Sequence, residues 1–169
     1  KQINGRGSNE KALIQVLCNR TKNQLHRIDR VYHKKYEKSL LQIVKNDVSG
    51  DFGRMMTHAL LPSPDYGEMV LSAAFSGVGC NSSVLIDLAM IKNNAEILAI
   101  KKQYEAHNNK SLLDRLKSEL SGSFETLMVK LYLGERAEAA TVDEALATRQ
   151  AKQLHDAGIG KHFGTDEKV

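Results

Sequence analysis

With 169 residues, 41% of them hydrophobic, the chain is long enough for one sizeable domain or two small ones, each with a real core. Leu, Ala, Lys and Glu are common, Trp is absent and Pro occurs twice, a bias toward helix. The formal net charge of +4 suits an anionic partner but is too small to name one.

No apolar run approaches the roughly 20 residues of a membrane-spanning helix. Residues 1–8 are polar and Gly-containing, so no signal peptide is read there. Cys18 and Cys80 form no C-x-x-C pair, which reads most simply as a reduced, intracellular protein.

Taken in order, residues 9–19 are expected to form a helix capped by Asn9, with Leu13, Val16 and Leu17 on one face and Cys18 as a buried thiol. Residues 22–36 carry Leu25, Ile28, Tyr32 and Tyr36 at helical spacing. Residues 39–48 form a short helix capped by Ser39, with Leu40, Leu41, Ile43, Val44 and Val48 as its apolar set. Ser49-Gly50 breaks it, and Asp51 is expected to cap a helix to about Leu61 with Phe52, Met55, Met56, Ala59 and Leu60 inward. Pro62-Ser63-Pro64 closes that unit, and Asp65 opens a helix over about 66–76. Further helices follow at 82–91, 94–107, 111–120 and 123–133. An Ala/Glu/Thr stretch then leads to a helix over about 143–157, capped by Thr141 or Asp143.

At an offset of 72 residues the chain resembles itself. Leu13-Ile14 aligns with Leu85-Ile86, Tyr32 with Tyr104, Lys38-Ser39-Leu40-Leu41 with Lys110-Ser111-Leu112-Leu113, and Ser49-Gly50-x-Phe52 with Ser121-Gly122-x-Phe124. The recurrence of Tyr32 and Tyr104 favours core packing over chemistry. Each unit also carries a G-x-G loop and a distant acid at equal range. Gly5-Arg6-Gly7 precedes Asp47, and Gly77-Val78-Gly79 precedes Glu119, each acid lying 40 residues after its second glycine. One G-x-G is only a helix-to-helix turn. Two with matching acids suggest one oxygen-rich site built twice, for a hard cation such as Ca²⁺.

Other chemistry is not in evidence. His26, His33, His58, His107, His155 and His162 show no ligand spacing, and there is no Ser-His-Asp or Cys-His pattern, P-loop or dinucleotide fingerprint. The two acids belong to different repeats, so they form no acid/base pair, and no enzyme is read here. Lys34-Lys35 and Lys101-Lys102 read as solvated helix faces. The tyrosines fall on inward positions rather than along a basic stripe, so nucleic acid is not an expected partner.

These residues resemble the annexin family, whose repeat of about 70 residues and five helices carries G-x-G-[TS] between its first two helices. In that family an Asp or Glu follows just ahead of a Ser-Gly. Gly5-Arg6-Gly7-Ser8…Asp47 matches fully. Gly77-Val78-Gly79-Cys80…Glu119 matches except that Cys80 replaces Thr or Ser, and Phe163-Gly164-Thr165-Asp166-Glu167 is similar to the family's third-repeat loop.

The resemblance implies an all-α fold of five-helix repeats of about 72 residues in a right-handed superhelix. Residues 1–61 would be repeat 1 lacking its first helix, 65–133 repeat 2, 134–142 a linker and 143–169 the start of repeat 3, in a fragment of a longer protein. It implies a cytoplasmic protein that binds acidic phospholipid membranes peripherally and reversibly when Ca²⁺ is raised. The alternative is an annexin-like helical scaffold for cytoskeletal or protein partners.

By the family pattern, carbonyls of Ile3, Gly5 and Gly7 with the Asp47 carboxylate would hold one Ca²⁺, and those of Phe75, Gly77 and Gly79 with Glu119 a second. That gives about five protein oxygens per ion and leaves about two positions for water or lipid phosphate. Asp47 is one methylene shorter than Glu119. Arg6 either meets a lipid phosphate or is an exposed loop arginine. Ser8 and Glu10 either form a small secondary site, or Glu10 is a first-turn acid complementing its helix. Gly158, His162 and Gly164 would offer carbonyls to a third site whose acid would lie beyond Val169.

Overall fold

The computed structural model describes residues 9–77, 79–138 and 141–158. These form ten helices and no strand: α1 (Glu10–Leu17), α2 (Lys22–Tyr36), α3 (Leu40–Asp47), α4 (Gly50–Leu60), α5 (Ser63–Ala74), α6 (Ser82–Ile91), α7 (Asn94–Asn108), α8 (Leu112–Glu119), α9 (Gly122–Tyr132) and α10 (Glu144–Ala157). The first four begin 72 residues before α6 to α9. Their start signals repeat as well. Asn9, Thr21 and Ser39 accept a backbone N–H in the first turn of α1, α2 and α3, as Asn81, Asn93 and Ser111 do in α6, α7 and α8. Thr21 with Gln24 and Asn93 with Glu96 each form a reciprocal capping box. At the far ends of α2 and α7, Glu37 and Asn109 hold the same left-handed conformation, φ 55° and 51°.

Each unit has its own core. Leu13, Leu17, Leu25, Leu40, Val44, Val48, Met56 and Leu60 cluster in the first. The second gathers side chains from α5 to α9, with Leu71, Leu85, Ile97, Leu112, Leu116 and Tyr132 withdrawn completely from solvent. Burial at this scale supplies the main driving force for keeping the short helices together. The Tyr132 hydroxyl donates to the Leu85 carbonyl at 3.0 Å, so the largest buried side chain leaves no polar atom unpaired. Burial holds that phenol well above its ordinary pKa.

α5 packs along α7, and Gly67 sits at their crossing. A Cβ there would lie 2.5 Å from the Ile100 side chain, so only glycine admits this approach. The crossing is tied by Gln103 Nε2 donating to Asp65 Oδ1 at 2.5 Å. Nearby, the buried Glu68 carboxylate accepts from the Ser72 hydroxyl at 2.6 Å and from Asn108 Nδ2 at 3.3 Å. In the first unit Lys22 Nζ donates to the carbonyls of His58, Ala59 and Leu61, satisfying the end of α4. α10, capped by Asp143 rather than Thr141, has no buried residue among those described.

Several expectations are corrected. α5 begins at Ser63, three residues before the expected start, because Pro64 fits the first turn, where its missing N–H would have had no helical partner. Asp51 is not a cap: α4 starts at Gly50 after Ser49, and Asp51 pairs with Arg54 within the first turn. Cys18 is exposed, one residue past the end of α1. Val16, Tyr36 and Met55 are exposed as well, because each lies at the margin of its apolar stripe, where the neighbouring helices do not reach.

Candidate cation site

The second glycine loop leaves α5 at Phe75 and enters α6 at Ser82. Its neck is closed by the Asn81 N–H donating to the Ala74 carbonyl at 2.8 Å. Ser76 fastens the near side, with its N–H and its hydroxyl both donating to the Ala73 carbonyl. The Phe75 ring is buried in the core and meets Tyr104 edge-on at 6.0 Å, so the position of its carbonyl is set by packing. Gly77 and Gly79 are exposed and hold φ of +97° and +77°. No atom lies within 4 Å of where a Cβ would stand on either, so these glycines serve backbone conformation rather than close approach.

Glu119 is the last residue of α8, as Asp47 is of α3. α8 is held to the core by Leu112 and Leu116, both fully buried. This brings the Glu119 side chain under the loop, where Arg115 connects the two. Arg115 Nη2 lies 2.8 Å from Glu119 Oε1 and donates to the Phe75 carbonyl at 3.1 Å. The guanidinium carbon also stands 5.5 Å from the centre of the Phe75 ring. The carboxylate and the loop carbonyl, 44 residues apart in sequence, are therefore ligands of the same cationic nitrogen.

The donor set around that nitrogen is a carboxylate oxygen and a backbone carbonyl, both of the hard oxygen type that suits a cation such as Ca²⁺. Among the described residues no three His, Cys, Asp or Glu side chains gather as a metal cluster. A cation here would therefore rely on backbone oxygens beside the single acid.

Arg115 is the neighbour of Glu119 and Phe75 that sequence reasoning did not single out. The available signal was its spacing, four residues before Glu119 on one helix face. The position 72 residues earlier is Ile43, so the first unit has no counterpart.

Asp47 is exposed at the end of α3. Its expected partners Ile3, Gly5 and Gly7, with Arg6 and Ser8, lie outside the described residues, as do His162 and Gly164. Glu10 stands in the first turn of α1, where its charge complements the helix N-terminus. Gly158 follows α10, its N–H donating to the Leu154 and His155 carbonyls. No helix among the described residues is long and apolar enough to cross a membrane.

A family model described as Annexin matches residues 1–59 and 66–131. Annexin A13 of Mus musculus is 38% identical over 168 residues, covering 99% of this chain and 52% of that protein. Among solved structures, annexin III superposes with a TM-score of 0.85 at 34% identity, over 98% of this chain and 51% of that one. Calcium-bound annexin (Sm)1 superposes with a TM-score of 0.84 at 26% identity, over 91% of this chain and 50% of that one. The chain thus spans about half the length of each of these three proteins.

Proposed function

The chain belongs to the annexin family, and on that footing we propose that it binds acidic phospholipid surfaces through Ca²⁺ held at its glycine loops. One observation carries the reading most: a carbonyl at the mouth of the second loop and the Glu119 carboxylate already share one cationic partner. In this proposal Phe75, Gly77 and Gly79 contribute carbonyls and Glu119 the carboxylate. Ile3, Gly5, Gly7 and Asp47 act in the same way in the first unit. The proposed units run over 1–61, 65–133 and 143–169, with 134–142 linking the last two.

Bound calcium supplies two positive charges and, with about five protein oxygens around it, open positions for a phosphate oxygen. The second loop presents Gly77 and Gly79 on an exposed turn, while packing of Phe75 and Leu116 supports the loop mouth and the acid. A single carboxylate per ion leaves the site incompletely neutralised. Acidic lipid should therefore tighten calcium binding, and calcium should tighten lipid binding by the same factor.

Co-sedimentation with phosphatidylserine vesicles tests this. The chain is expected in the pellet with Ca²⁺ and in the supernatant with EGTA, and neutral phosphatidylcholine vesicles should retain much less. Binding that ignores EGTA would contradict the proposal and favour a scaffold for protein partners.

A further inference from the structure

We propose that Arg115 is an internal competitor for the cation position of the second site, so that it raises the calcium concentration needed to fill that site. The inference rests on the functional reading above and adds to it a residue that the glycine-loop pattern does not include.

Three contacts place the guanidinium. Nη2 is 2.8 Å from Glu119 Oε1 and 3.1 Å from the Phe75 carbonyl, and the group stacks 5.5 Å from the Phe75 ring. Both oxygens are proposed ligands, and neither can give its full charge to a metal while it serves arginine. The pair is also oriented in the less favourable sense for a helix, with the cation four residues before the acid. Helix stabilisation therefore accounts poorly for it. What the pairing does provide is neutralisation of a carboxylate whose side chain is only 17% exposed.

The guanidinium also has space to withdraw into. An open cleft of about 220 Å³ lies beside it, lined by Ser72, Phe75, Tyr104, Asn108, Lys110 and Arg115. Two of its lining side chains, Ser72 and Asn108, donate to the Glu68 carboxylate. Ile43 at the equivalent position of the first unit carries no charge, so Asp47 has no such competitor at that helix position.

The test is calorimetric calcium titration, in the presence of phosphatidylserine vesicles, of the full chain carrying Asp47→Ala, so that the second site is read alone, with and without Arg115→Ile or Arg115→Gln. Either substitution should raise calcium affinity about fivefold, the effect of removing one partly screened charge pair. The thermal midpoint without calcium should fall, because the carboxylate loses its partner, while the calcium-saturated midpoint should hold. Arg115→Gln keeps a hydrogen-bonding side chain of similar reach, so it decides the matter if Arg115→Ile does not fold. Unchanged or weaker calcium affinity in Arg115→Gln, with both midpoints lowered, would show a structural arginine and overturn the inference alone. A parent Asp47→Ala chain that takes up no calcium at all would overturn the functional reading and this inference together.

Discussion

Replacing Asp47 and Glu119 together by alanine is expected to weaken calcium binding in the presence of phosphatidylserine vesicles by more than about 100-fold. Loss of a mere outer-shell partner commonly costs 10–100-fold, and here the ligand itself is removed. Each acid is the only carboxylate proposed for its ion, so the remaining carbonyls would have to hold two positive charges with no opposing one. The single variants should each remove one class of site and leave the other.

Stability should change little. Asp47 is exposed at its helix end. Glu119 gives up one ion pair to an arginine that is 31% exposed, worth about 1 kcal/mol after solvent screening. Calorimetric titration of the parent, the two single variants and the double variant, with a thermal melt of each, separates loss of a ligand from loss of fold. A double variant that still binds calcium like the parent would remove both acids from the account.

The opposite pattern is expected for Leu116→Ala. Leu116 lies three residues before Glu119 and is fully buried in the second unit's core, against side chains from α5 to α9. Removing its isobutyl group leaves a cavity that the surrounding helices can only partly close, at a cost of about 2–5 kcal/mol. For a chain of this length that lowers the melting midpoint by on the order of 10 °C. Trimming the exposed Met90 should change stability by less than about 0.5 kcal/mol. Denaturant titration of the two variants checks the contrast, and equal effects would mean that the packing of α8 through Leu116 is not what supports the site.

Much of the helical layout was legible because its signals are local. The caps read at Asn9 and Ser39 mark helix starts, and the 72-residue recurrence places α6 to α9 from α1 to α4. Apolar spacing was less informative about which face is covered. Met55 and Leu127 occupy equivalent positions and both stay exposed, as do Ile14 and Ile86. Periodicity reports that a residue is apolar, but burial depends on whether another helix arrives there. Pro64 misled for a related reason: proline stops a helix in its interior and suits its first turn, and only the register of α5 distinguishes the two.

At the candidate site, the pairing of the second loop with Glu119 was visible as a spacing, and the structure brings Phe75 and Glu119 onto one nitrogen. The occupant of that position was not visible. Arg115 departs from the repeat, and a departure carries no pattern to read. Its meaning comes from two distances, one to Phe75 just past the end of α5 and one to Glu119 on its own helix.

The measurement that bears most directly on this account is a crystal structure of the chain grown with calcium, with the ion located by its anomalous scattering. The account predicts an ion 2.3–2.6 Å from a Glu119 oxygen and from carbonyls of Phe75, Gly77 and Gly79, with Arg115 displaced from both Phe75 and Glu119. An ion bound elsewhere, with Arg115 still seated between that carbonyl and that carboxylate at saturating calcium, would contradict it.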